Sequence, residues 1–286
     1  VAEKTANFVL AEMTHAGGAF FSAQDADSDG QEGKYYVFTP DEIINILGEA
    51  DGKLFCQWFN ITPQGNFEGK SIPNRLNQDL IDDPKINALA KKVYEYRKDR
   101  TRLHTDDKIL TAWNALMIQA LTFAGRKLQR QEYIQKAMEA ESFLSKNLSL
   151  PNRRLMVRWR DGEAAHNGQL DDYAFYALAL IELYHATFNP AYLQRALELA
   201  DIILSDFADN KGGYYIYSDR SEALILRPKE LYDGAMPSGN SAAAMVFVQL
   251  WLLTAEQKWQ RAMDGQLEFL AANIADYPRA HSYALL

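Results

Sequence analysis

A chain of 286 residues, 48% of them hydrophobic, can bury a sizeable core as one large domain or two small ones. A net charge of −8 without a basic stripe argues against a nucleic-acid partner. No apolar run approaches the ~20 residues needed to span a bilayer. Cys56 is the only cysteine, so these residues hold no intrachain disulfide and no C-x-x-C redox pair; within Leu54-Phe55-Cys56-Gln57-Trp58-Phe59 it reads as buried filler.

The chain opens on Val1-Ala2-Glu3-Lys4, with no Met and no signal-peptide pattern, and so reads as part of a longer protein. A helix is predicted over 3–14, ending at His15-Ala16-Gly17-Gly18. Ala19–Ser22 and Lys34–Phe38 read as paired short strands. Thr39-Pro40-Asp41-Glu42 is a helix start, with Thr at the cap, Pro at the first helical position and Glu three residues on. A shorter helix covers 51–59, and 60–83 is loop-rich. From Pro84 the 3.6-residue pattern predicts helices over 85–99, 109–126, 130–147, 170–187, 190–206, 237–254 and 257–275. Between them, 154–159 and 212–217 are β-like.

An internal repeat underlies the later helices. Trp113, Tyr173 and Gly239 each open an apolar helix, 60 and then 66 residues apart, and Gly17-Gly18-Ala19-Phe20 is echoed by Gly212-Gly213-Tyr214-Tyr215. A pair of antiparallel helices cannot bury its inner face alone and must stack on its neighbours. The apolar, aromatic inner helices favour closure of such a stack into a ring over an open solenoid.

The polar motifs gather at the openings of these inner helices: Lys108 to Asn114, Gln169-Leu170-Asp171-Asp172-Tyr173, and Asp233-Gly234-Ala235-Met236-Pro237-Ser238-Gly239-Asn240-Ser241. In a ring of hairpins the inner helices run the same way, so the openings converge on one face with their free N–H groups. Carboxylates, amides, hydroxyls and aromatics together suit a sugar, and the aromatic content of 12% fits such a ligand. Trp113, Asn114, Tyr173, Ser238 and Asn240 are the candidate substrate contacts. Capping competes as an explanation for Asp171, Asp172 and Ser238, and core packing for Trp113 and Tyr173. The candidate catalytic groups are Asp171, Asp172 and Asp233, with His166 and His281 as imidazoles for proton transfer beside a carbonyl; a plain surface histidine competes as the explanation for each imidazole. Glycoside hydrolysis would instead need two carboxyls about 5–10 Å apart, drawn from different motifs. Asp25-Ala26-Asp27-Ser28-Asp29-Gly30 matches the opening of a calcium loop. The twelfth position is Tyr36 where such a loop needs Glu, so an ordered hairpin loop competes with calcium held by Asp25, Asp27 and Asp29. No other cofactor is expected.

Gly17 to Ser28, Glu32 to Pro40, Lys108 to Asn114, Leu170 to Phe175, Asp233-Gly234-Ala235 and Pro237 to Ser241 resemble, in order, the signature of the thioredoxin-domain proteins related to spermatogenesis-associated protein 20. Gln24 stands where that family usually has Glu. The resemblance implies an all-α (α/α)6 toroid, six-hairpin glycosidase-like and similar to N-acylglucosamine 2-epimerases, with small β-hairpins in its connections. Residues 1–286 would form one domain supplying roughly the later two-thirds of that toroid. A thioredoxin-like domain would lie in cis in the parent. The expected function is a carbohydrate-binding or carbohydrate-modifying module, with isomerase or epimerase chemistry ahead of hydrolysis. The alternative is a non-catalytic interaction module for the thioredoxin-like domain. No epimerase motif aligns around His166 or His281.

Overall fold

The computed structural model describes residues 1–76, 78, 81–222 and 225–286. The chain folds into two compact units, one made of Val1–Ser22 with Asp107–Leu286 and the other of Ala23–Asp106. The second is thus an insertion within a connection of the first.

The larger unit is a row of helical hairpins. Helix α1 (Ala2–Glu12) comes first. After the insertion come α5 (Thr111–Leu128), α6 (Gln131–Asn147), α7 (Leu170–Thr187), α8 (Pro190–Ile202), α9 (Gly239–Thr254) and α10 (Gln257–Ile274). Each inner helix pairs with the outer helix that follows it, and α5 packs on α7 and α7 on α9. Short connections reverse the chain within each hairpin, so the inner helices run parallel. Helix α7 is apolar all round, as a helix enclosed by neighbours must be: Tyr173 to Ile181 are all buried. Tyr176, Phe175, Phe247 and Trp259 are among the largest fully buried side chains of this core.

Local chemistry accounts for the helix starts. Asn189 caps α8 by accepting the Ala191 N–H at 3.1 Å ahead of Pro190, and Ser238 caps α9 by accepting from Ser241 at 3.1 Å. Helix α8 runs on into a π-helical turn, Ile203–Phe207.

The smaller unit holds α2 (Pro40–Leu47), α3 (Glu49–Trp58) and α4 (Pro84–Arg100) around Phe38, Ile43, Phe55, Cys56, Ile86 and Leu89. Thr39 and Asp83 cap α2 and α4, each ahead of a proline. Strands β1 (Ala23–Gln24) and β4 (Thr105–Asp106) pair where the chain enters and leaves the unit, and β2 (Asp27–Ser28) pairs with β3 (Gln31–Glu32). Cys56 is buried, and burial pushes its thiol up.

The expected pairing of 19–22 with 34–38 does not form. The Phe20 backbone is held instead by the Asn114 side chain, and Phe38 bridges to Ser71. The β-like 212–217 is reduced to one bridge, Ala208 to Tyr214, because Gly212 and Gly213 take positive φ. By contrast 154–159 becomes the centre of a three-stranded sheet: β5 (Ile109–Leu110), β6 (Met156–Arg160) and β7 (Glu163–Asn167), in the order β5-β6-β7. The β6–β7 turn is Asp161-Gly162, both at positive φ, the two-residue hairpin such a dipeptide specifies.

Candidate functional site

The repeat is a repeat of hydrogen bonds. After α1, α6 and the π-helical turn the chain makes the same bend, bridging Thr14 to Phe20, Ser149 to Leu155, and Ala208 to Tyr214. In each case the last residue donates its N–H to a polar side chain at the start of the next inner helix. Phe20 donates to Asn114 Oδ1 at 2.7 Å, Leu155 to the Tyr173 hydroxyl at 2.9 Å, and Tyr214 to Asn240 Oδ1 at 2.8 Å. Each asparagine also donates through Nδ2, Asn114 to Phe20 O and Leu110 O, Asn240 to Tyr214 O and Glu230 O. Three of the candidate ligand residues are therefore buried backbone clamps.

The two aspartates of α7 join the inner-helix openings. Asp172, 3% exposed, accepts Gln169 N–H at 2.8 Å and Ala112 N–H, in the first turn of α5, at 3.0 Å. Asp171 accepts the Gly239 N–H at the first residue of α9. The adjacent carboxylates point to different helices, as successive residues on a helix do, and the three N-termini meet around them. Burial raises the Asp172 carboxyl to about 7, against the N–H groups it accepts and with Asp171 adding to the rise. Burial, then Glu230, raises Asp171 to about 6.

Asp233 is saturated by backbone as well. Its Oδ1 accepts Ser238 N–H at 2.8 Å, and its Oδ2 accepts from Tyr283 and Ala284 at 2.9 and 3.0 Å. His281 Nδ1 lies 2.7 Å from Leu231 O. The pair thus ties the 280–284 segment to the approach of α9. Ser238 Oγ and Ser241 Oγ are 2.9 Å apart. Trp113 is exposed at the start of α5. Asp25, Asp27 and Asp29 lie in the smaller unit, where Asp25 accepts Asp27 N–H and Asp29 accepts from Lys34 Nζ at 2.7 Å and Thr101 Oγ1 at 2.9 Å. The Lys34 and Thr101 bonds hold the Asp29 carboxyl below its usual range. Among the described residues no group of three or more His, Cys, Asp or Glu is arranged to hold a metal ion.

Of the two candidate imidazoles His281 is buried and His166 is exposed. His166 lines a cavity of about 500 Å³ with Asn167, Gln169, Tyr217, Ser221 and Glu222, at the amino-terminal end of α7. Its φ of 63° places an L-residue in the left-handed region, a conformation that costs free energy and persists only where the surroundings enforce it. Gln169 belongs to the polar opening of α7 that the sequence marks, whereas the other residues of this rim were not legible as a site. Asn167 and Gln169 flank a glycine on either side of the hairpin-to-helix junction, and Tyr217 and Ser221 belong to a loop that only the fold brings beside it. The Asp161-Gly162 turn was the available signal, since it specifies a hairpin that returns β7 to the opening of α7.

Consecutive helical hairpins with parallel inner helices, their amino-terminal ends joined on one face, place the larger unit in the α/α-toroid class. A solved cellobiose 2-epimerase from Spirochaeta thermophila shares this fold, with a TM-score of 0.50 and 22% identity over 59% of this chain and 44% of that one. No protein-family model matches the chain. Spermatogenesis-associated protein 20 of Homo sapiens is 31% identical over 306 residues, covering 91% of this chain, and the Mus musculus protein is 29% identical over the same share. The chain belongs with the proteins related to spermatogenesis-associated protein 20, and it spans 39% of the length of these two relatives. Among the described residues no helix is long and apolar enough to cross a membrane.

Proposed function

We propose that the larger unit is a carbohydrate-binding module whose site is the cavity at the amino-terminal end of α7. The observation that carries this reading is the lining of that cavity: an imidazole, two amides, a phenol, a hydroxyl and a carboxylate, with the Met156 thioether, around about 500 Å³. Sugar hydroxyls both donate and accept, and amides and hydroxyls answer in both senses while an aromatic ring takes the apolar face of a pyranose. The toroid fold shared with a cellobiose 2-epimerase supports the reading by analogy of fold alone. A thioredoxin-like domain in cis is the proposed partner in the longer parent.

One observation favours a second reading, sugar epimerisation or isomerisation. His166 presents an imidazole from a strained backbone at the cavity wall, placed to exchange a proton with a bound ligand. Hydrolysis by paired carboxylates has less support, because both oxygens of Asp172 and of Asp233 already accept backbone N–H groups.

Ligand-observed NMR of the 286-residue chain against mono- and disaccharides, N-acylated sugars included, tests both readings. Binding that is lost in Tyr217→Ala is the expected result, and absence of binding across the panel removes the carbohydrate reading. Conversion of a bound sugar to its epimer, abolished in His166→Ala with binding retained, would assign the chemistry to His166.

A further inference from the structure

A second hollow of about 190 Å³, lined by Asn152, Arg154, Asn167, Tyr173, Ser218 and Arg220 among others, lies against the first. Asn167 lines both, and Leu155–Met156 and Tyr217–Ser218 place successive residues on the two walls. Its charge is distinctive. Arg154 and Arg220 both aim Nε at the same oxygen, Asp206 Oδ2, at 2.9 and 3.3 Å. Asp206 is 3% exposed and sits in the π-helical turn, a helix irregularity often found at functional sites. Its Oδ1 is taken by the Ser205 hydroxyl at 2.6 Å.

Two guanidiniums on one carboxylate leave an uncompensated positive charge. Arg227 stands nearby, donating to Asp206 O at 3.4 Å and to Tyr217 O at 2.8 Å. Among the described residues no bond engages the terminal nitrogens of Arg220, whose side chain is 63% exposed. The neutral groups of the wall are biased the same way. Asn152 Oδ1 accepts Arg154 N–H, Ser218 Oγ accepts Arg220 N–H, and the Tyr173 oxygen accepts Leu155 N–H. Each therefore has its amide or hydroxyl hydrogens left to offer. A small hollow whose walls hold surplus positive charge and spare donors selects an oxyanion.

We propose that this hollow binds the carboxylate or phosphate of an acidic sugar whose ring occupies the adjoining cavity. The proposal rests on the carbohydrate reading above and narrows its substrate class to anionic sugars.

The test is an amide-resolved NMR titration of the 286-residue chain with glucose, glucuronate, glucose 6-phosphate and inorganic phosphate. At least one acidic sugar is expected to bind about 10-fold or more tightly than glucose. In Arg220→Gln, a change at an exposed side chain, that advantage should fall below about 2-fold with glucose affinity unchanged. Which acidic sugar gains more tells carboxylate from phosphate. Equal affinities for glucose and both acidic sugars, or an advantage insensitive to Arg220→Gln, would overturn the proposal, as would inorganic phosphate binding as tightly as the sugar phosphate. If no sugar binds, the carbohydrate reading fails and the sugar part of this proposal with it. Inorganic phosphate then decides the rest: shifts at the Ser218 and Arg220 amides that vanish in Arg220→Gln keep an anion site, and their absence removes it.

Discussion

Asn114 and Asn240 do the same work in two repeats, each using one amide to satisfy three backbone groups. Replacing Asn240 by Ala strands the Tyr214 N–H and C=O and the Glu230 C=O, and each buried unpaired group costs about 1–3 kcal/mol. The expected loss is about 2–4 kcal/mol, less than the sum because the bond to Glu230 O is only partly buried. Urea unfolding measures it, and a loss below about 1 kcal/mol would mean that the clamp is dispensable. Asp172 gives a pH-dependent counterpart. Its folded carboxyl, raised to about 7 from 3.8, holds a proton over a range where the unfolded chain has lost it. Stability from this group is thus full below pH 4 and falls as pH rises toward 7. In Asp172→Asn the fall should be smaller, with only the part due to Asp171 left, which stability curves at pH 4, 6 and 8 will show; parallel curves for the two proteins would refute the assignment.

At the scale of elements, helix starts were legible where a capping side chain precedes proline, as at Thr39-Pro40, and the apolar period located the described α-helices of the larger unit to within a few residues. The five-residue β6 was legible at 154–159, but the two-residue strands were not, because so few residues form a strand only if a partner's backbone is free to meet them; at Phe20 the Asn114 side chain takes both backbone groups. The opening of α9 shows how closely the inner helices meet. A Cβ on Gly239 would overlap Asp171 Oδ1 and stand 2.8 Å from Leu170 Cγ. Gly239→Ala is therefore expected to cost about 1–3 kcal/mol, as overpacking at a tight contact does. Unchanged stability in a thermal melt would show that the α7–α9 junction yields.

At the scale of the whole molecule, the insertion of Ala23–Asp106 separates Phe20 from the Asn114 that holds it by 94 residues. The chain enters and leaves that unit on paired strands, with Ala23 opposite Asp106, so its ends are adjacent and a short linker can span them. Replacing 23–106 by a Gly-Ser linker should leave the larger unit folded, with its helical circular dichroism and a cooperative melt. Loss of cooperativity in that protein would show that the larger unit depends on the insertion.

The amino-acid sequence alone determined the succession of paired helices, because a 3.6-residue apolar period and capping chemistry act over a few residues and leave their mark in order along the chain. It also marked the helix openings as the places where polar residues gather. What Asn114, Tyr173, Asn240, Asp171 and Asp172 do there was decided by tertiary structure. An N-cap, a backbone clamp and a ligand contact ask for the same side chains, and only the identity of the facing group distinguishes them. The cavity around His166 and the basic hollow beside it were decided the same way. Their walls come from the 150–156 segment, β7, the start of α7 and the 217–222 loop, and a charge set by Arg154, Asp206 and Arg220 exists only once segments far apart in the chain have been packed together.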